Sequence, residues 1–178
     1  PVIADRSFGS DPALVSRHVA AFVRGLQGEG VAATLKHFPG HGDTAVDSHL
    51  ALPVLRHTAD HLDSVDLPPF RAGIAAGVAA VMSAHILMPE LDATLPATLS
   101  RAAMHGLLRT ELGFDGVIVT DALDMRAISD TWPAPEAAVM SLAAGADLPL
   151  VIGTVAENRA VLDAVDAAAA HGRLAAAE

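Results

Sequence analysis

Short, continuously apolar runs recur along this chain with helical periodicity between them, and that rhythm limits the fold more than any other feature. Val31–Phe38 (VAATLKHF) follows an apolar-periodic helix predicted from about Asp11 to Leu26, with Asp11 and Pro12 where a cap and first-turn proline belong. The plan repeats. Val78–Ile86 follows a short helix at about Pro68–Ala76, and Val117–Leu123 follows Ser100–Leu112, with Ser100 as N-cap. Ala146–Ile152 follows Pro135–Ala144 and leads into a last helix near Glu157–Ala170, while PVIAD at the start reads as a fifth strand. Strands that are apolar throughout, separated by helices, specify a parallel sheet covered on both faces. Pro149 is a misfit in a buried strand, because it removes a ladder donor.

Polar residues gather at one end of these runs: Asp5 and Arg6, Lys36 and His37, Ser83 and His85, Thr120 and Asp121. In parallel α/β folds the C-terminal strand ends carry the chemistry. The reading is therefore an α/β chain of the (β/α)8-barrel type with one pocket. Four or five strands fall short of a complete barrel, which needs about 250 residues, so the 178 residues are read as a single, incomplete C-terminal portion lacking upstream strands.

Composition removes several function classes. A formal net charge of −10 argues against a nucleic-acid partner, since phosphate neutralisation needs clustered Lys and Arg. The longest apolar stretches, such as Ile74–Met82, are too short to span a membrane and are broken by glycine. No cysteine is present, which excludes disulfides and Cys-based zinc sites. The first residues lack the charged and apolar regions of a signal peptide, and no initiating methionine precedes them, so compartment stays open. Lys36 is the only lysine beside ten arginines, which suggests a site that needs a compact ammonium rather than a guanidinium fork.

The segment KHFPGHGDTAVDSH packs Lys36, His37, His41, Asp43, Asp47 and His49 into fourteen residues, and Pro39, Gly40 and Gly42 keep it out of regular helix. It reads as a functional loop. A metal site from His37, His41 and His49 suits the residue types, although a loop broken by proline and glycine gives those ligands no regular scaffold. Asp115 and Asp124 read as turn and helix-cap residues. His18, His57, His61, His105 and His171 read as surface residues away from the pocket. His85 could line the pocket, or could be bonded to a backbone carbonyl at the edge of the core.

The same string, with RSFGSDP upstream and GFDGVIVTDALDM downstream, closely resembles glycoside hydrolase family 3, in particular its bacterial β-N-acetylglucosaminidase (β-N-acetylhexosaminidase) branch. The resemblance runs over nearly the whole chain, with three motifs in the family's order. It implies retaining hydrolysis of terminal β-linked N-acetylglucosamine from peptidoglycan fragments (muropeptides) or chitin oligosaccharides, without a cofactor or metal, by a protein that is monomeric at full length. By resemblance, Asp121 is the nucleophile and His49 the acid/base with Asp47 as its hydrogen-bond partner. Arg6, Lys36 and His37 match positions that bind the sugar hydroxyls. The residue types fit: an imidazole with an ordinary pKa of ~6.5 can give and take a proton near neutrality, and a carboxylate beside it orients it. His41 and Asp43 are expected to shape the loop that delivers His49, with Gly40 and Gly42 allowing its bend. Two alternatives stay open: phosphorolysis, because histidine in place of a carboxylate removes a charge that would repel phosphate, and a non-catalytic sugar-binding fragment.

Overall fold

The computed structural model describes residues 2–174. Its main elements run α1 (Pro12–Gly28), β1 (Thr34–Phe38), α2 (Ala59–His61), α3 (Pro68–Ala75), β2 (Ala80–Ser83), β3 (Val117–Ala122), α4 (Arg126–Ser129), α5 (Ala134–Ala144), β4 (Leu148–Leu150) and α6 (Val155–Ala170). The four strands are parallel and lie in sequence order, β1-β2-β3-β4. Each connection therefore crosses over and returns beside the strand it left, as βαβ units require.

Local chemistry sets the boundaries. Asp11 caps α1 by accepting from the Ala13 amide at 3.0 Å, with Pro12 as first residue. Thr154 and Glu157 close a capping box at the start of α6. Ser100 Oγ accepts from Ala103 N at 3.3 Å, the capping role its position predicts. The segment it opens, Ala102–Glu111, nevertheless winds in wide i→i+5 turns instead of a regular α-helix. Thr110 Oγ1 donates to the His105 carbonyl five residues back at 3.0 Å, and Gly106 adds no side chain to resist the wider turn.

Two expectations are corrected. Residues 2–6 do not form a fifth strand: the backbone turns at Ala4, whose φ is 46°, into a short 3-10 turn over Ala4–Arg6, and Val2 N bonds the Thr44 carbonyl; Pro1 lies outside the described residues. The last strand is shorter than its apolar run, covering only Leu148–Leu150. It is an edge strand, which is where the missing donor of Pro149 can be tolerated.

Helices α1 and α3 pack on each other, and α3 packs on β1. Phe38 of β1 meets Phe70 of α3 edge to face, with ring centroids 5.3 Å apart. Val81 and Ile118, paired in register between β2 and β3, are fully buried. A second apolar cluster of Leu123, Ile128, Ala137, Ala138 and Val161 joins the end of β3 to α4, α5 and α6. The sheet is thus fixed from both ends of the chain, and Asp121 sits at its C-terminal edge.

Close approach at the other strand end gives a test. A Cβ on Gly116 would stand 2.6 Å from the Ala79 carbonyl oxygen and 2.6 Å from Phe114 Cζ. That carbonyl cannot retreat without losing the 3.0 Å bond it accepts from Val117 N. Gly116→Ala is expected to cost about 1–3 kcal/mol through overpacking, read as a Tm lowered by several degrees; an unchanged melting curve would show that the β2–β3 junction has room to spare.

Candidate active site

Asp121 is the fifth residue of β3, half-buried, and its Oδ1 accepts from the Ala122 amide at 2.9 Å. On β1, Lys36 is exposed and His37 is buried, as alternation along the strand dictates. The Lys36–His37 and Phe38–Pro39 peptide bonds are cis. His37 Nε2 lies 3.5 Å from Asp121 Oδ2, which joins the ends of β1 and β3 over the intervening β2.

Two residues beyond β2, His85 is completely buried. Its Nε2 donates to the Ala122 carbonyl at 2.9 Å, and its Nδ1 is 2.8 Å from Thr98 Oγ1. Thr98 Oγ1 also lies 2.9 Å from the Ala84 carbonyl and 2.9 Å from Ser83 Oγ. Of the two roles open to His85, the structure gives it the backbone-bonding one. It braces the peptide next to Asp121.

The loop after β1 is held from inside. His41 is buried, its Nδ1 is 2.6 Å from Thr44 Oγ1, and its Nε2 is 3.3 Å from Ser48 Oγ. Thr44 uses its single hydroxyl proton on the His41 carbonyl at 2.9 Å. Nδ1 therefore carries the imidazole proton and Nε2 accepts from Ser48. The Ser48 carbonyl in turn accepts from Ala127 N of α4 at 3.1 Å. This ties the loop to the segment that follows Asp121.

At the end of that loop Asp47 and His49 are paired as their spacing predicts. Asp47 Oδ1 accepts from His49 Nδ1 at 2.7 Å and from the His49 amide at 2.9 Å. Those two bonds hold the Asp47 carboxyl below its ordinary range, so it stays ionised. Since a carboxylate only accepts, Nδ1 is the N–H and Nε2 is the free nitrogen. The His49 side chain is 71% exposed and turned to solvent.

Arg6, Lys36, His37, His41 and Asp43 line one open cavity of about 750 Å³ between the N-terminal segment, α1, β1 and the turn before α3. Asp121, Asp47 and His49 are not on its wall. The structure thus brings the expected sugar-binding residues together, and His37 connects them to Asp121.

Three sequence expectations change here. Asp124 does not cap α4; its Oδ1 accepts from Ile152 N at 3.0 Å, fastening the loop after β3 to the chain beyond β4. Two of the histidines expected away from the pocket are placed otherwise: the His57 side chain is only 12% exposed and lies between Asp66 and Asp43, and His61 lines the cavity. The His37, His41, His49 metal arrangement is not formed, because His41 spends both ring nitrogens on hydroxyls and His49 Nδ1 is taken by Asp47. Thr44, Ser48 and Thr98 were not anticipated. The first two are hydroxyls within reach of His41 along the loop and could have been found there; Thr98 has no signal in the sequence.

Sequential parallel strands, each followed by helix, with carboxylate and imidazole groups at their C-terminal ends, place this chain in the class of α/β-barrel-type proteins whose site is built on those ends. The chain belongs to glycosyl hydrolase family 3: the model of that family's N-terminal domain matches residues 1–178. It is 44% identical over 84% of its length to a β-hexosaminidase of Stenotrophomonas maltophilia, and 44% identical over 97% of its length to the β-hexosaminidase LpqI of Mycobacterium tuberculosis. It spans less than half of either relative, 44% and 45% of their lengths. The solved structure of a glycoside hydrolase family 3 β-N-acetylglucosaminidase from Paenibacillus superimposes with a TM-score of 0.96 at 53% identity, over 98% of this chain and 34% of that one.

Electrostatics around Asp121 give the second test. Burial pushes the His37 pKa down to about 4 against the upward pull of the Asp121 carboxylate, and burial also lowers His41 and His85. All three are neutral at pH 7. Below the ordinary histidine pKa of ~6.5 the unfolded chain takes up protons that these folded side chains refuse, so their contribution is full above that pH and lost as pH falls toward about 4. His57 works the other way: burial lowers its pKa, but its bonds to Asp66 and Asp43 outweigh burial and raise it. With three groups against one, Tm is expected to fall on acidification from about pH 7 to about pH 4.5. His37→Gln should flatten that fall; an identical slope in the variant would contradict the buried neutral state of His37.

Proposed function

We propose that this chain carries the nucleophile and the acid/base dyad of a retaining glycosidase acting on terminal β-linked N-acetylglucosamine, as found in peptidoglycan fragments and chitin oligosaccharides. The observation that carries the reading is the Asp47–His49 pair, bonded at 2.7 Å on a loop that is itself bonded to the segment following Asp121. The names of the β-hexosaminidase relatives support the substrate class. The catalytic unit is proposed to be larger than the 178 residues, with upstream strands completing the barrel.

In this scheme the Asp121 carboxylate attacks the anomeric carbon while His49, entering the step as imidazolium with a proton on each ring nitrogen, gives its Nε2 proton to the departing oxygen and is left neutral. The bond to the aglycone breaks and an ester to Asp121 forms. Neutral His49 then takes a proton from water, which attacks the same carbon and releases the sugar with its configuration retained. Neutral His37 leaves the charge of Asp121 unpaired and available for attack. Arg6, Lys36 and His37 supply donors to the ring hydroxyls from the cavity beside β1.

Reaction of this chain, and of a version extended upstream, with a fluorinated N-acetylglucosaminide should label the peptide containing Asp121; a label elsewhere overturns the assignment. His49→Ala should slow substrates with poor leaving groups by about 10²–10⁴-fold and activated aryl glycosides far less. Equal losses on both would remove His49 from the acid role. Product analysis with and without phosphate separates hydrolysis from phosphorolysis.

A further inference from the structure

Outside the proposed catalytic groups, one cluster combines two imidazoles with two carboxylates. His57 Nδ1 is 2.8 Å from Asp66 Oδ2, and His61 Nε2 is 3.9 Å from the same oxygen. The two rings have centroids 4.0 Å apart, and one ligand atom from each of His57, His61 and Asp66 falls within 4.8 Å of the others. We propose that His57, His61 and Asp66 form a three-ligand site for a divalent transition-metal ion of the zinc type.

The local fold produces this juxtaposition. Thr58 caps α2 by accepting from His61 N at 3.2 Å, which winds His57 and His61 onto one side of the first turn. The following wide turn, Leu62–Asp66, then brings Asp66 back to them. Two imidazole nitrogens and one carboxylate oxygen suit zinc rather than magnesium or calcium, which take oxygen ligands. Zinc bonds of about 2.0–2.1 Å place tetrahedral ligand atoms roughly 3.3 Å apart. The cluster's ligand atoms, within 4.8 Å of one another, would have to draw in to that spacing to close on an ion.

An independent feature points the same way. The other nitrogen of His57, Nε2, lies 3.2 Å from Asp43 Oδ2. A ligating histidine that gives its second N–H to a carboxylate is the usual outer arrangement of protein zinc sites, because it fixes the tautomer and raises the basicity of the ligating nitrogen. The carboxylates of Asp43 and Asp66 also balance the charge of a divalent cation. Asp43, His61 and Asp66 all line the cavity, so the fourth coordination position would open to solvent there.

Bound metal would replace the proton that His57 shares with Asp66, release that proton, and lock the turn before α3 to the loop leading to Asp47. The loop is already close: a Cβ on Gly40 would stand 2.9 Å from Asp66 Oδ1. The competing state is metal-free, with a protonated His57 spanning the two carboxylates.

Zinc titration of chelator-stripped, dialysed protein by calorimetry tests this. The expected result is saturation at one ion per chain with proton release, a raised Tm, loss of binding in His61→Ala and in Asp66→Asn, and affinity lowered about 10–100-fold in Asp43→Asn. His49→Ala should bind zinc as the parent does. No stoichiometric uptake, or binding lost in His49→Ala and kept in His61→Ala, would overturn the proposal. Should the variants fail to fold, anomalous scattering from zinc-soaked crystals of the parent decides: a peak between His57, His61 and Asp66 supports the site, and its absence there overturns it.

Discussion

A parallel sheet of short strands leaves peptide groups unpaired at both strand ends, and burial makes each of them costly unless a side chain supplies the partner. Here side chains do so at both edges of the sheet. At the N-terminal ends, Gln27 Oε1 accepts from Ala79 N at 2.9 Å and Ala33 N at 3.3 Å, while its Nε2 donates to Gly77 O at 2.8 Å. Asp147 accepts from Ile118 N at 2.7 Å and is itself held by Arg109, which also donates to the Phe114 and Gly116 carbonyls. At the C-terminal ends, Thr120 Oγ1 accepts from Leu150 N at 2.9 Å and His85 donates to the Ala122 carbonyl. The ends differ in kind. The N-terminal clamps include an ion pair, whereas the groups nearest Asp121 at the C-terminal ends are uncharged.

That difference bears on the chemistry. In the role proposed for Asp121, an ion pair would stabilise the carboxylate and weaken it as a nucleophile, while a buried imidazole that refuses a proton cannot do so. His37, His41 and His85 all fall under that description. Their neutrality is the result of burial, so it depends on the same packing that closes the core around Phe38 and Ile118. Fold stability and the charge state of the site are therefore coupled through three histidines.

The sheet was legible in the sequence because a continuous apolar run is hard to place anywhere but in a covered parallel strand. Val117–Leu123 and Val78–Ile86 both hold strands, trimmed at their ends. Val2–Asp5 failed because apolar character over so few residues does not separate a strand from a turn. The Asp47–His49 pairing could be read because residues two apart on a loop meet by local geometry. His57 could not: its partners Asp43 and Asp66 are fourteen and nine residues away, and only the folded turns around Gly40 and Leu62–Asp66 bring them to one ring. The cross-sheet contact of His37 with Asp121 was equally invisible to periodicity, although the shared strand-end position of the two residues was not.

Lys36–His49 divides into two parts with different mechanical standing. Its first residues belong to β1, paired with β2 and backed by Phe70, so the position of His37 is set by the core. Its last residues are held through His41 to Ser48 and through the Ser48 carbonyl to Ala127. Neutral hydrogen bonds of that kind contribute about 0.5–1.5 kcal/mol each, far less than removal of a buried aromatic would cost, about 3–5 kcal/mol. The strand end is thus held by core packing and the loop end by hydrogen bonds. A nucleophile must be fixed to within a fraction of an ångström, which a strand provides; a group that meets a variable leaving oxygen works better on a segment with weaker restraints. In the roles proposed for them, Asp121 and His49 stand on those two kinds of support.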